Sequence, residues 1–428
     1  MIRTGERGYS IGGSYHQLVS SQPCAPRSPV IRVAEALRFI PFTGRQRSDI
    51  PLLNLLIRPI QGSKETFQSI DLLRGLSAIA ILVFHFHHFL MGGGAMNIAS
   101  NRDREVGILN ALSLLRDWGA LAVMLFWMIS GFVFMNVYAA GKPKFYTFLV
   151  NRISRLYPIH IITLLVVAAL QIAAMNFFGH FLIYQINDAF HFVLNIFFAS
   201  EWGFERGNSF NGPIWSVSVE VLIYAVFYIY IRYFRVNLIT SSASFFVFLA
   251  FAKVWPKNMI FLCGVFFFAG MIVYAIYSLI PRRLRLRAAV FSLICMLGAC
   301  AVGLAVGPRL PLPLTLWLIP IFGFALLALA MSEMLGLAPF YHRLRAVGDL
   351  TYSTYLWHSP LQMVFLLGAG LGLWNLNIVL TNAFFIGYLI VVIVFSYGSF
   401  HLIERPAQRW IRASFLHSTR PINVISAP

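Results

Sequence analysis

The chain contains ten long, predominantly apolar segments, and these constrain its fold more than any other feature. A helix of about 20 apolar residues spans the hydrocarbon core of a bilayer, which is about 30 Å thick. This repeated pattern predicts an all-α, polytopic membrane bundle of about ten transmembrane helices. The segments lie at approximately 70–90, 118–138, 156–178, 214–234, 238–254, 259–280, 288–306, 313–332, 351–371 and 378–402.

The composition excludes most soluble enzymes. Of the 428 residues, 59% are hydrophobic and 11% are charged, whereas a soluble domain carries about 25% charged residues. The net charge of +18 is typical of nucleic-acid-binding proteins, but there the lysines and arginines share one solvated face. Here they lie between apolar runs. The lipid bilayer is therefore a predicted partner, and nucleic acid is not.

The positions of lysine and arginine predict how the bundle is oriented. Loops on the cytoplasmic side of a membrane are enriched in these residues. With a cytoplasmic N-terminus, 26 of the 33 lysines and arginines fall on the inner side. Ten spans then place both termini in the cytoplasm. The predicted organisation is a basic, disordered extension at 1–66, a transmembrane domain at 67–410 and a short cytoplasmic tail at 411–428.

The first predicted helix carries Arg74 and His85 on one face. Ionisable residues inside membrane helices are costly and are functional candidates by default. The two positions are eleven residues apart, which in a helix separates them by about 20° around the axis and about 16 Å along it. They are predicted to face one cavity. The alternatives are a positive-inside anchor for Arg74 and an interhelical hydrogen bond for His85.

Glu220 is the one acidic residue well inside a predicted span. Ser216, Glu220 and Tyr224 share a helical face at intervals of four residues. A buried carboxylate must be neutralised by a proton or a partner. Because this helix enters from the outer side, we expect Glu220 to reach the imidazole of His85. The alternative is an interhelical contact with an arginine or a tyrosine.

Three further positions break the apolar pattern. His358 lies two residues before Pro360, which removes a backbone donor and loosens a helix beside a cavity. Ser130 and Gly131 form a small surface that suits either a cavity or close helix packing. Arg152 and Arg155, three residues apart at a predicted helix start, suit phosphate binding. Basic residues are also common in any inner loop, so topology alone is the alternative explanation for the two arginines.

Taken in order, these elements resemble acyltransferase family 3, the multi-pass O-acyltransferases of bacterial surface polysaccharides and related glycans. The similarity covers about residues 69–410. One departure is Met124, where many members have an aspartate. The matching elements are Asp71, Arg74-Gly75 with His85, Ser130-Gly131-Phe132, Arg152-x-x-Arg155-Leu-Tyr-Pro, Trp215-Ser216-x-Ser218-x-Glu220, Tyr355-Leu-Trp357-His358 and Glu404-Arg405-Pro406.

The resemblance implies transfer of an acetyl or related acyl group from acyl-CoA to a carbohydrate or glycolipid hydroxyl, in the bacterial cytoplasmic membrane. His85 is the expected general base, since the pKa of histidine suits that role, and Glu220 would orient its imidazole. Arg74 contributes to catalysis and, with Arg152 and Arg155, holds the CoA phosphates. The predicted substrate cavity is lined by Ser130, Trp215, Ser216, Tyr355 and His358.

We predict no metal site and no tightly bound cofactor, so acetyl-CoA acts as a substrate. The four cysteines lack the paired spacing of zinc sites or disulfides. Two other functions fit some of the residues. A proton-coupled secondary transporter would use His85, Glu220 and His358 as a relay. A haem or metal protein would use His85 with His88, but needs a second histidine pair.

Overall fold

The computed structural model describes residues 56–60, 62, 66–91, 107–139, 141–306, 314–333, 340–341 and 347–416. Within these ranges the chain forms helices joined by turns and loops, without strands. Most of the predicted N-terminal extension and the last part of the predicted tail lie outside the described residues.

Twelve helices of eight or more residues occur in the described ranges, and each predicted apolar segment overlaps one of them. Helix α4 has only eight residues, lies in the loop after α3 and corresponds to none of the ten predicted segments. The helices are α1 Gln68–His85, α2 Ala122–Tyr138, α3 Phe145–Phe178, α4 Ala189–Ile196, α5 Ile214–Tyr233, α6 Leu238–Val254, α7 Met259–Leu279, α8 Arg285–Val306, α9 Leu314–Ser332, α10 Thr351–Gly370, α11 Asn382–Ser399 and α12 Arg405–Leu416.

Seven helical stretches in the described ranges are long and apolar enough to cross a membrane. Two shorter apolar helices, Leu238–Val254 and Leu316–Ser332, come close to that length. The predicted all-α membrane protein is confirmed. The number of ten spans and the cytoplasmic position of both termini stay predictions.

Helix α8 exposes an extensive apolar surface. Its side chains Phe291, Ile294 and Leu304 are 64%, 62% and 84% exposed. Only 11% of its most apolar stretch of 18 residues is buried. Soluble proteins rarely expose apolar surface of this extent, whereas lipid chains solvate it without cost. The apolar outer face of α8 is therefore typical of a lipid-facing helix.

The buried side chains form two apolar clusters. The first is centred on α2, α5 and α7 and includes the fully buried Phe132 and Phe267. The second joins the end of α1 to α3, α10 and α11 and includes Phe86, Met363 and Phe385. Helices α1 and α10 contribute residues to both clusters. The polar side chains that break the apolar pattern on these two helices are thus held by packing on both sides.

Helices α2 and α7 approach each other through two glycines. A Cβ atom at Gly131 would collide with the backbone carbonyl of Phe267, and one at Gly270 would collide with the carbonyl of Met128. Small residues let membrane helices pack backbone to backbone. Gly131 is therefore a packing position, as the close-approach alternative held, while its neighbour Ser130 faces a cavity.

We expect Gly131→Ala to destabilise the bundle by about 1–3 kcal/mol, the usual range for overpacking a tight core. The backbone of α7 cannot move aside as a flexible side chain can. Gly298→Ala on α8 is the matched control, because a Cβ there meets nothing within 4 Å. Thermal unfolding in detergent should show a lower midpoint for Gly131→Ala alone. Equal midpoints would contradict the packing role.

Candidate active site

A cavity of about 80 Å³ opens between helices α1, α2, α3, α5 and α10. Polar side chains from all five helices reach it, so it is a site assembled from distant parts of the sequence. Its polar lining consists of Arg74, Ser130, Arg155, Ser216, Glu220, Tyr224, Thr351, Tyr352 and Tyr355, and its apolar lining of Val123, Phe126, Trp127, Leu156 and Val217.

Glu220 is the anionic centre of this cavity. The hydroxyl of Tyr224 donates a 2.6 Å hydrogen bond to Glu220 Oε1, and the side chain of Ser130 bonds to the same carboxyl group. Arg74 and Arg155 both lie within electrostatic range of Glu220. The lining contains two guanidinium groups and one carboxylate, and Arg74 Nη1 also lies 3.7 Å from Asp71 Oδ1 behind the lining. The lining itself thus holds one more cation than anion, which favours an anionic ligand.

The two arginines of the Arg-x-x-Arg motif lie inside a helix. We expected them at a helix start, but α3 begins at Phe145 and continues through Pro158. Arg155 lines the cavity. Because positions three residues apart point about 60° apart on a helix, Arg152 faces a different neighbour.

Arg152 lies against aromatic rings. Its guanidinium carbon is 4.7 Å from the ring centroid of Phe134 and 5.8 Å from those of Tyr138 and Tyr224. Its Nη2 donates a 3.2 Å hydrogen bond to the hydroxyl of Tyr138. Stacking on aromatic faces is a favourable environment for a guanidinium. Arg152 therefore supports the cavity wall indirectly, by packing against the ring of Tyr224, which lines the cavity.

His85 pairs with His358. The Nδ1 atom of His85 lies 2.8 Å from Nε2 of His358, and the two rings lie nearly edge to edge, with centroids 4.9 Å apart and planes 9° apart. The ring of His88 is nearly parallel to that of His85, with centroids 5.0 Å apart and planes 16° apart. One nitrogen of the 2.8 Å contact must carry the hydrogen while the other accepts it.

Gln362 holds this histidine group in place. Its Nε2 donates 2.8 Å to the backbone carbonyl of His85, and its Oε1 lies 3.2 Å from His88 Nδ1. Because an amide oxygen only accepts hydrogen bonds, His88 carries its hydrogen on Nδ1. The network ties α1 to α10 at the depth of the His85–His358 pair.

Pro360 opens the backbone of α10 next to this pair. A proline inside a helix cannot donate to the carbonyl four residues earlier, which here belongs to Leu356. The side-chain amide of Asn211 donates a 3.0 Å hydrogen bond to that carbonyl instead. The predicted loosening at Pro360 is thus compensated by the loop before α5, and this contact fixes α10 beside His358.

Tyr355 connects the cavity with the histidine pair. Its hydroxyl donates 2.7 Å to the carbonyl of Pro213 and lies 2.6 Å from Ser216 Oγ. Its ring centroid is 5.9 Å from that of His358. A ligand group in the cavity is therefore separated from the pair by one aromatic side chain.

The structure brings most of the sequence-predicted residues together and separates others. Glu220 and His85, which we expected to meet, belong to different networks: the described partners of Glu220 are Ser130, Tyr224 and the arginines. Trp215 packs edge-on against Trp127, with centroids 5.8 Å apart. The predicted residues that line the cavity are Arg74, Ser130, Arg155, Ser216, Glu220 and Tyr355.

Three polar lining residues were not among the predicted site residues: Tyr224, Thr351 and Tyr352. Tyr224 follows Glu220 by one helical turn, so its position on the shared face was a usable signal. Tyr352 precedes Tyr355 by three residues, and its hydroxyl donates 2.8 Å to the carbonyl of Leu156. Tyrosines repeated within an otherwise apolar span are the corresponding signal on α10.

The described residues contain no group of three or more histidine, cysteine, aspartate or glutamate side chains arranged to hold a metal ion.

A family model described as an acyltransferase domain, that of acyltransferase family 3, matches residues 67–401 of the sequence. No curated protein and no solved structure matches the chain. The matched range includes every cavity residue and both members of the histidine pair.

Proposed function

The chain belongs to acyltransferase family 3, and from that premise we propose that it transfers an acetyl or related acyl group from acyl-CoA to a hydroxyl of a cell-surface or lipid-linked carbohydrate. Membership in the family makes the protein a membrane acyltransferase. The observation that carries the finer proposal is the cationic cavity next to the 2.8 Å His85–His358 pair. An anion-binding cavity close to an imidazole pair supports the proposal of an anionic acyl donor and a histidine base.

The donor binds at the arginines. Arg155 and Arg74 present guanidinium groups to the cavity, and such groups bind the oxygens of a pyrophosphate through charge-assisted hydrogen bonds. Arg152 supports this wall from its aromatic surroundings. Acetyl-CoA, or another acyl-CoA, is in this scheme a substrate that binds and dissociates in each turnover, not a tightly bound cofactor.

His85 acts as the general base. It takes the proton of the acceptor hydroxyl while the oxygen attacks the thioester carbonyl. A C–O bond forms, the C–S bond breaks, and the CoA thiolate leaves with the proton that His85 returns. His358, 2.8 Å from His85 Nδ1, orients the imidazole, which is the role that the sequence had suggested for Glu220. Glu220 instead balances the charge of the arginines.

The orientation suggested by the basic residues fits this chemistry. Ten spans with both termini in the cytoplasm, in the bacterial inner membrane, place the Arg152–Arg155 end of α3 towards the cytoplasmic pool of acyl-CoA. The end of α1 that carries His85 then lies towards the outer side, where a glycan acceptor can approach. The acyl group passes to the acceptor between these two ends.

Mass spectrometry of surface glycans tests this proposal. Cells lacking the gene should lose one ester-linked acyl group, and a plasmid copy of the wild-type protein should restore it. In membranes or nanodiscs, the purified protein should release free CoA thiol from acetyl-CoA only when an acceptor glycan is present. An unchanged acyl profile in the deletion strain would contradict the proposal for those glycans.

A further inference from the structure

A second cavity, of about 280 Å³, lies apart from the first at the other end of α2 and α5. Its walls are residues 59–60, the connection between α2 and α3, and the connection between α5 and α6. Ile60 N donates 2.9 Å to the carbonyl of Val236, and Ile60 is 6% exposed. The segment before α1 is therefore seated on the helical domain and completes the cavity.

The lining combines cations with aromatic rings. Lys142 and Arg235 contribute positive charge, and Tyr138, Tyr233 and Phe234 contribute rings. Among the described lining residues none is acidic. Lys142 Nζ donates one hydrogen bond, of 3.1 Å, to a backbone carbonyl, and an ammonium group has three hydrogens to donate. Both cations thus have donors to offer to an anionic ligand.

Three side chains link this cavity to the arginine-lined one. Tyr138 lines the second cavity, and its hydroxyl accepts the hydrogen bond from Arg152. Arg152 in turn lies over the ring of Tyr224, which lines the first cavity. A ligand with a phosphate-bearing aromatic head and a long flexible arm could occupy both cavities along this shared wall.

We propose that the second cavity binds the adenosine 3′-phosphate end of acyl-CoA. This inference rests on the proposed function, because that function supplies the donor. Lys142 and Arg235 bind the 3′-phosphate through charge-assisted hydrogen bonds, and the purine stacks on the aromatic rings, as bases do in nucleotide sites. The phosphopantetheine arm then follows the wall formed by Tyr138 and Arg152 towards Arg155.

A phospholipid headgroup offers the same phosphate chemistry to this cavity. The aromatic lining favours the nucleotide, because a phospholipid headgroup has no aromatic ring to stack. The two sources differ in experiment: a free nucleotide binds in bilayers without anionic lipid, whereas a lipid site fills only when such lipid is present. Adenosine 3′,5′-bisphosphate is the appropriate probe, since it carries the purine and the 3′-phosphate without the acyl arm.

Binding is measured on the full chain in nanodiscs of phosphatidylcholine. We expect Lys142→Ala/Arg235→Ala to raise the Kd for adenosine 3′,5′-bisphosphate by about tenfold or more, because each lost charged hydrogen bond costs about that factor. The matched control is Arg282→Ala/Arg283→Ala, which removes two exposed cations from the connection before α8. The control should keep the wild-type Kd. Thermal unfolding verifies that both variants fold.

Kinetics with a truncated donor give the second measurement. The Lys142→Ala/Arg235→Ala variant should raise the KM for acetyl-CoA but not that for S-acetylpantetheine, which lacks the nucleotide. The inference is wrong if the bisphosphate does not bind, if both variants bind it equally, or if anionic lipid alone occupies the cavity. The wild-type protein could bind the bisphosphate, and the double variant lose that binding, although neither transfers an acyl group. That result would support the nucleotide site and remove the proposed function.

Discussion

Replacing His85 with alanine should lower the rate of acyl transfer by about 10²- to 10⁴-fold, the usual contribution of a general base. The hydroxyl of a sugar is a weak nucleophile until its proton is removed, and the imidazole of His85 is oriented for that task by its 2.8 Å contact with His358. The measurement is the release of CoA thiol by purified protein in nanodiscs, with the acceptor glycan at saturation. Glycan mass spectrometry should show the corresponding loss in cells.

His401→Ala is the matched control, because His401 is an exposed histidine between α11 and α12. It should retain the wild-type rate. His358→Ala should lose less activity than His85→Ala, since it removes the partner and not the base, and it should shift the acid limb of the pH–rate profile. Full activity in His85→Ala, with normal thermal unfolding, would remove the assignment of the base but leave the family unchanged.

The helical pattern could be predicted because it is a property of local sequence. An apolar run in a bilayer must satisfy its backbone hydrogen bonds internally, which a helix does, and the ten runs all overlap helices. Periodicity put Arg74 and His85 on one face of α1, a single helix, but of these two residues only Arg74 lines the cavity that both were predicted to face. The start of α3 was placed too late, at about residue 156 where the apolar segment begins, whereas the helix begins at Phe145.

The pairing of the polar residues could not be predicted in the same way. The expected contact of Glu220 with His85 depended on how far α5 is shifted along α1, and this shift is set by packing across the bundle. Gly131 on α2 and its close approach to α7 are part of that packing. Two residues 273 positions apart, His85 and His358, therefore meet for reasons that lie outside both of their local sequences.

The second large effect is expected at the two arginines of α3, which the sequence treats alike and the structure separates. Arg155→Ala should lower kcat/KM for acetyl-CoA by about 10- to 100-fold, the loss of one or two charge-assisted hydrogen bonds. Its thermal unfolding should stay near that of the wild type, because Arg155 faces the cavity and its removal opens space for water. Arg155→Lys should restore part of the activity, since lysine keeps the charge but not the planar fork.

Arg152→Ala should instead lower the midpoint of thermal unfolding. It removes a guanidinium 4.7 Å from the ring of Phe134 and the hydrogen bond to Tyr138, and cation–π contacts contribute about 0.5–2 kcal/mol each. Arg409→Ala, an exposed cation on α12, controls for the loss of one positive charge. Because Arg152 also supports the ring of Tyr224, the variant should lose some activity, and this loss should be no larger than the lowered stability accounts for. A large kinetic loss at unchanged stability would mean that Arg152 contacts the donor itself.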